Sequence, residues 1–173
     1  MDAQPLLRLI DAAGQANGFT FVGIGGLGGA GKSTLAARVP GAQIVSTDEF
    51  WDGAEFGLMR LRDEVFEPLL AGDTARFATW DWVGSGPGPE RKVAPDGIVV
   101  VEGVCALHRM FRDDYDVRAW VDAPNETRLA RGVERHGESA RRTWVERWMP
   151  MEERYIARDD PISCADVVVD GSG

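Results

Sequence analysis

Apolar residues fall along this chain in two alternating patterns, short continuous runs and stripes three to four positions apart. Leu6, Leu7, Leu9, Ile10 and Ala13 form one such stripe, which predicts an amphipathic first helix ending near Gly14. Phe19-Thr20-Phe21-Val22-Gly23-Ile24 reads as a strand, and Ser33 to Val39 as a helix. Gln43-Ile44-Val45-Ser46 is a short second strand, and Leu58, Leu61, Val65, Leu69 and Leu70 return to helical spacing before Ala71-Gly72. Arg76 to Trp82 predicts another strand. The run Gly84-Ser85-Gly86-Pro87-Gly88-Pro89 behind it is too rich in Gly and Pro for regular structure. Ile98-Val99-Val100-Val101 is the strongest strand signal, its continuous apolar run suited to a parallel strand buried on both faces. A short helix around Leu107 to Phe111, a strand at Val117 to Val121, helices over Glu126 to Arg135 and Arg142 to Arg158, and a strand from Ala165 to Val169 complete the chain. Such alternation, without repeat or linker, predicts one α/β domain over 1–173. Its parallel sheet of about five strands is covered by helices on both faces, in three layers, with the site at the carboxyl ends of the strands.

Composition narrows the classes. The 173 residues are 44% hydrophobic, enough for a sizeable core. A net charge of −9 argues against a general nucleic-acid surface, so no nucleic-acid partner is expected. Two cysteines, Cys105 and Cys164, are too few for a disulfide framework. No stretch reaches the ~20 apolar residues of a membrane span, and the acidic start lacks a secretion signal's charged head. No membrane partner and a cytoplasmic location are the expectations. A homodimer stays open.

The chemistry begins at Gly26-Leu27-Gly28-Gly29-Ala30-Gly31-Lys32-Ser33-Thr34, which satisfies Gly-x4-Gly-Lys-[Ser/Thr]. Strand before and helix after are the setting in which successive backbone N–H groups converge on one polyphosphate. Gly26, Gly28, Gly29, Ala30, Gly31, Lys32, Ser33 and Thr34 are thereby expected to hold ATP. Lys32 would lie between the β- and γ-phosphates, and the Ser33 hydroxyl would ligate Mg²⁺. Usage sharpens this: the chain has 17 arginines and only two lysines, Lys32 and Lys92. A phosphate loop prefers a compact ammonium on a flexible stem to a planar guanidinium.

Strand ends supply the other groups. Asp48 follows the second strand, where a carboxylate can take a proton from an attacking hydroxyl and help hold Mg²⁺; alternatively Thr47 or Asp48 only caps a helix. Glu102 ends the Ile98–Val101 strand, a place for metal or metal-bound water. Trp80-Asp81-Trp82 fits both a substrate-binding carboxylate between stacking rings and a half-buried aromatic strand; Trp51 either walls an acceptor pocket or fills a gap. Arg128, Arg131 and Arg135 share a helical face, and Arg141-Arg142 follow a polar break. Arg131 is assigned to the nucleotide. Arg135 and Arg142 are assigned to the transferring phosphoryl group, on a short arginine-bearing lid near 135–142 that would also exclude water. A solvated charged face is the alternative for any one of them.

The phosphate loop, Asp48-Glu49-Phe50-Trp51, Trp80-Asp81, the Val-Glu-Gly strand end at Glu102, Thr127 to Arg131 and Ala165-Asp166-Val167-Val168 occur in the order seen in the uridine kinase and phosphoribulokinase family of P-loop kinases, which the chain resembles over nearly its whole length. The resemblance implies the P-loop kinase fold and phosphorylation of a small-molecule hydroxyl by ATP. It also implies a base at Asp48, with Asp81, Arg135 and arginines near Arg141 around acceptor or phosphates. Departures concern the acceptor. Trp80 replaces a usual tyrosine, Gly84 and Ser85 stand where a base-reading histidine is usual, Gly132 replaces the second of two arginines, and the 51–58 segment is short. A GTPase reading fails because no Asn/Thr-Lys-x-Asp motif surrounds Lys92. An ATPase or ATP-binding regulator without small-molecule phosphorylation is the alternative.

Overall fold

Strand β1 (Phe19–Gly26) is buried along its whole length at the centre of a five-stranded sheet. In this computed structural model, which describes residues 1–14, 18–53 and 55–173, β5 (Gly97–Glu102) and β6 (Val117–Asp122) flank it. Strands β2 (Gln43–Ser46) and β7 (Val167–Asp170) form the edges. The order β2-β5-β1-β6-β7 is parallel throughout. Register decides where the ends fall. Ile24 and Ser46 both pair with Glu102, so the carboxyl ends of β1, β2 and β5 are level.

Alternation along each strand feeds two cores, one per face. Val22, Ile24, Val100, Ala119 and Val121 meet Leu6 and Ile10 of α1 (Gln4–Ala13), with Leu35 and Ala36 of α2 (Lys32–Ala36). Phe19, Phe21, Val99, Val101 and Trp120 pack on the opposite side. There α3 (Leu58–Leu61) runs through a π-helical turn, Arg62–Phe66, into α4 (Glu67–Leu70). That continuous helix delivers Leu61, Val65, Phe66 and Leu69 to the core. The first helix, the strand pattern and the long middle helix thus follow the apolar spacing.

Two expectations change. The 84–89 segment is not irregular throughout: β4 (Gly86–Val93) pairs antiparallel with β3 (Ala75–Asp81) in a separate ribbon, Ala75 opposite Val93 and Asp81 opposite Gly86. Pro87 and Pro89 are two apart, so their missing N–H groups lie along one edge of β4. A two-stranded ribbon leaves each strand one edge without a partner, where proline costs little. Phe77 and Val93 then anchor the ribbon in the core against Phe50, with rings of Phe50 and Phe77 4.9 Å apart. The segment 107–111 is not helical either. It forms turns, followed by a 3₁₀ turn at Arg112–Asp114, and Leu107 and Phe111 are apolar because they are buried, not because they line a helix.

Beyond β6 come α5 (Asn125–His136), a 3₁₀ turn at Glu138–Ala140, α6 (Arg141–Thr143), a π-helical turn at Trp144–Trp148 and α7 (Met149–Asp159). Among the described residues, no helix is long and apolar enough to cross a membrane.

Candidate active site

The loop between β1 and α2 is shaped by glycine. Gly29 and Gly31 have φ of 76° and 107°, backbone that residues with a Cβ rarely adopt, and Gly31 caps α2. Lys32 is only 9% exposed, and its Nζ donates to the Leu27 carbonyl at 3.1 Å, folded back across the loop. Burial pushes its pKa below the ordinary lysine value, while Glu102, Asp48 and Glu152 oppose the shift.

Those carboxylates arrive from the level strand ends. Glu102 is buried at the end of β5, and its Oε1 accepts from Ser33 Oγ at 3.2 Å. Burial raises its pKa, more than Lys32 and the Ser46 and Ser33 hydroxyls lower it. Asp48 lies just past β2 in the 3₁₀ turn Thr47–Phe50. The cap of that turn is Ser46, whose hydroxyl accepts from the Asp48 amide while Glu49 returns to the Ser46 amide at 3.0 Å. Neither Thr47 nor Asp48 caps it, and the Asp48 side chain stays exposed toward Lys32's field. Glu49 is held in turn by Arg91 of β4 at 2.7 Å, and Arg91 also donates to the Ile44 carbonyl at 2.8 Å. The hairpin therefore pins the turn that presents Asp48.

The structure brings Lys32, Ser33, Asp48 and Glu102 together; it spreads the remaining sequence candidates around them. Arg131 points its fork at backbone: Nη1 donates to the Gly29 carbonyl at 3.2 Å and the Gly171 carbonyl at 2.7 Å, and Nη2 to that of Ser172 at 3.3 Å. Arg135 is exposed but close enough to disfavour the charge on Lys32. Arg142 is paired with Glu146 at 2.8 Å on its own exposed helical face, and Arg141 with Glu138. A cavity of about 340 Å³ opens beside the loop, lined by Met1, Gly31, Thr34, Arg131, Glu134 and Arg135.

Asp81 sits at the hairpin tip, where its carboxylate accepts from the Val83 amide at 2.9 Å and, with Gly84, is held below the usual carboxylate pKa. Trp80 approaches Gly53. Trp51 stacks on Trp82 with centroids 5.8 Å apart and meets Phe56 edge-on. Trp82 is 58% exposed, while Trp51 and Trp80 are half-buried. Ala54, within the short 51–58 segment, lies outside the described residues.

Sequence reasoning missed the support behind the loop. Arg128 is not a surface arginine: it is 2% exposed and ion-paired with buried Glu152 at 2.9 Å. Glu152 also accepts from the Gly28 amide at 2.6 Å. Gly132 leaves space for Trp144, since a Cβ there would come within 2.3 Å of the indole. No local periodicity links residues 24 or 12 apart on different elements.

No established family profile matches the sequence. A uridine kinase of Saccharomyces cerevisiae is 28% identical over 141 residues, an alignment covering 66% of this chain and 28% of that protein. This chain thus spans under a third of the curated relative it matches. Among solved structures, one from Bacillus stearothermophilus described as a possible uridine kinase superposes with a TM-score of 0.68 at 20% identity, over 96% of this chain and 100% of that one. A candidate fructose transport system kinase from Silicibacter sp. TM1040 superposes with a TM-score of 0.60 at 18% identity, over 98% of this chain and 99% of that one. Five parallel strands with helices on both faces are the fold these structures share with it.

Proposed function

We propose that this chain, a uridine kinase-like P-loop kinase in fold and sequence resemblance, transfers the γ-phosphate of ATP to a hydroxyl group of a small molecule, a nucleoside or similar metabolite. One observation carries the proposal: an ammonium, a hydroxyl–carboxylate pair and a second, exposed carboxylate converge where β1, β2 and β5 end. Lys32 leaves the Leu27 carbonyl for the β- and γ-phosphates, whose charge restores what burial takes from the ammonium. The glycine loop cradles the phosphates with its amides, and the nucleoside lies in the cavity at Thr34 and Arg131.

Magnesium fits the donors present. Ser33 Oγ and Glu102 offer hard oxygen ligands 3.2 Å apart, and among the described residues no group of three or more His, Cys, Asp or Glu forms a cage. That is the donor set of an ion which keeps water and leans on substrate phosphates. Ser33, Glu102 and Asp48 are the residues that would hold it, and the ion would neutralise charge on the phosphates. Asp48 accepts the proton of the acceptor hydroxyl, and its freedom from capping leaves both oxygens available. Trp51, Trp80 and Trp82 wall the acceptor side. Arg135 approaches the phosphates from α5, and Arg142 joins only when it exchanges Glu146 for phosphate.

ADP release is the test, measured with Mg²⁺-ATP against a panel of nucleosides, sugars and vitamins. Acceptor-stimulated release that disappears in Lys32→Ala supports the proposal. ATP binding without stimulation by any hydroxyl compound would leave an ATP-binding regulator in its place.

A further inference from the structure

Glycine at loop positions 26, 28, 29 and 31 gives the backbone the shape a triphosphate needs and also leaves it loose, because each glycine loses the most conformational freedom on ordering. Something outside the loop has to hold it. Three contacts do so. Arg131 holds the Gly29 carbonyl. The main chain of Arg128 lies so close to Gly29 that a Cβ there would sit 2.5 Å from its carbonyl oxygen. Glu152 holds the Gly28 N–H.

The third contact is chemically the most telling. Glu152 comes from α7 and Arg128 from α5, so one buried carboxylate ties the loop to both helices between which the arginine-bearing segment 137–148 is strung. Its Oε1 takes the Gly28 amide at 2.6 Å and its Oε2 takes Arg128 Nη2 at 2.9 Å. Stability alone is a poor reason for this arrangement. A buried ion pair gains little net energy over apolar packing, and here the buried Arg128 Nε finds no hydrogen-bond partner among the described residues. Gly28 is fitted to the contact as well, since a Cβ would meet Glu152 Oε1 at 2.8 Å and the Trp144 ring at 2.9 Å.

We infer that Glu152 is a positioning residue for nucleotide binding: through the Gly28 amide it keeps the glycine loop in its phosphate-ready shape, with Arg128 fixing the carboxylate from the other side. The inference rests on the ATP reading of the loop. Loosening the contact makes ATP repeat the ordering work at each binding event, which weakens affinity. Transfer from bound ATP changes less.

Two conservative variants separate this role from a plain ion pair. Glu152→Gln keeps the reach to the Gly28 amide and loses the charge opposite Arg128. Glu152→Asp keeps the charge and is one methylene too short for the amide. Dissociation constants for a fluorescent ATP analogue with Mg²⁺ are measured at a temperature where circular dichroism shows each variant folded, together with kcat at saturating ATP. The expected result is about tenfold weaker binding for Glu152→Asp, threefold or less for Glu152→Gln, and kcat within about threefold for both. The reverse order means that charge neutralisation alone matters, and overturns the inference. Equal losses, or unchanged binding in Glu152→Asp, overturn it too. Unaltered chain that fails to bind the analogue, or binds it equally well as Lys32→Ala, sinks the ATP reading along with it. Tight, Lys32-dependent binding that ignores Glu152 sinks only the inference.

Discussion

Lys32 and Glu102 lie within electrostatic reach of each other, and burial acts against the charge of both. For Glu102 the consequence has a definite sign. Its pKa is raised on folding, so above the unfolded value of about 4.3 the unfolded chain sheds this proton before the folded chain does. Stability therefore falls as pH rises through the folded-state value, and the ionised group is a liability in the free protein. Glu102→Gln should remove this fall, so that its melting temperature declines less than that of the unaltered chain as pH rises above about 4.3, while Mg²⁺-dependent turnover drops; calorimetry without nucleotide, below and above that pH, checks it. Asp48 behaves differently because it is exposed and caps nothing. Asp48→Asn should leave the ATP dissociation constant within about threefold and cut transfer about 10²-fold or more, as loss of a general base does. An unchanged rate of acceptor-dependent ADP release would remove Asp48 from the chemistry. The motif was legible at these positions because loop, lysine and serine are consecutive. The Ser46–Glu49 capping box is equally local, although the cap offered as the alternative to a catalytic Asp48 was Thr47 or Asp48 itself.

Helix α5 shows how one stripe of like residues takes three different jobs. Arg128 turns inward to Glu152, Arg131 grips loop carbonyls, and Arg135 remains in solvent. Helical spacing places them on one side; the packing of Trp144 and α7 decides which part of that side is covered. Gly132 is the pivot of that packing. Replacing it with alanine would gain about 1 kcal/mol of helix propensity on an exposed helix. Here the new methyl group meets the indole of Trp144 at 2.3 Å, and overpacking of this kind costs about 1–3 kcal/mol. Gly132→Ala should thus lower the denaturant midpoint, with a shift in tryptophan emission as Trp144 is displaced; a higher midpoint would show that the helix end yields freely. The β3–β4 ribbon makes the same point for strands. Its prolines argued against regular structure, but the free edge of a two-stranded ribbon accepts them.

Across the molecule, the phosphate loop and the acceptor wall are supported by different parts. The loop leans on α5, α7 and the segment after β7, through Arg128, Glu152 and Arg131. The Asp48 turn leans on the hairpin, through Arg91 to Glu49 and Phe77 to Phe50. The two supports predict separable defects. Arg91→Met should raise the acceptor KM about tenfold, with ATP affinity unchanged within about threefold. Equal loss of both in steady-state kinetics would mean that the two halves are one unit. Lys32, Asp48 and Glu102 are spread over 71 residues of chain, and parallel register levels the strand ends that bring them together.

The layered α/β plan, the central buried strands and the glycine loop with Lys32 and Ser33 could be read from the chain, because each is written in neighbours or in a short period. The fate of individual arginines, the hairpin that carries Arg91, and the carboxylate behind Gly28 could not. Those depend on which surfaces meet after the chain has folded, and contacts between residues 24 to 124 positions apart leave no periodic trace in the sequence.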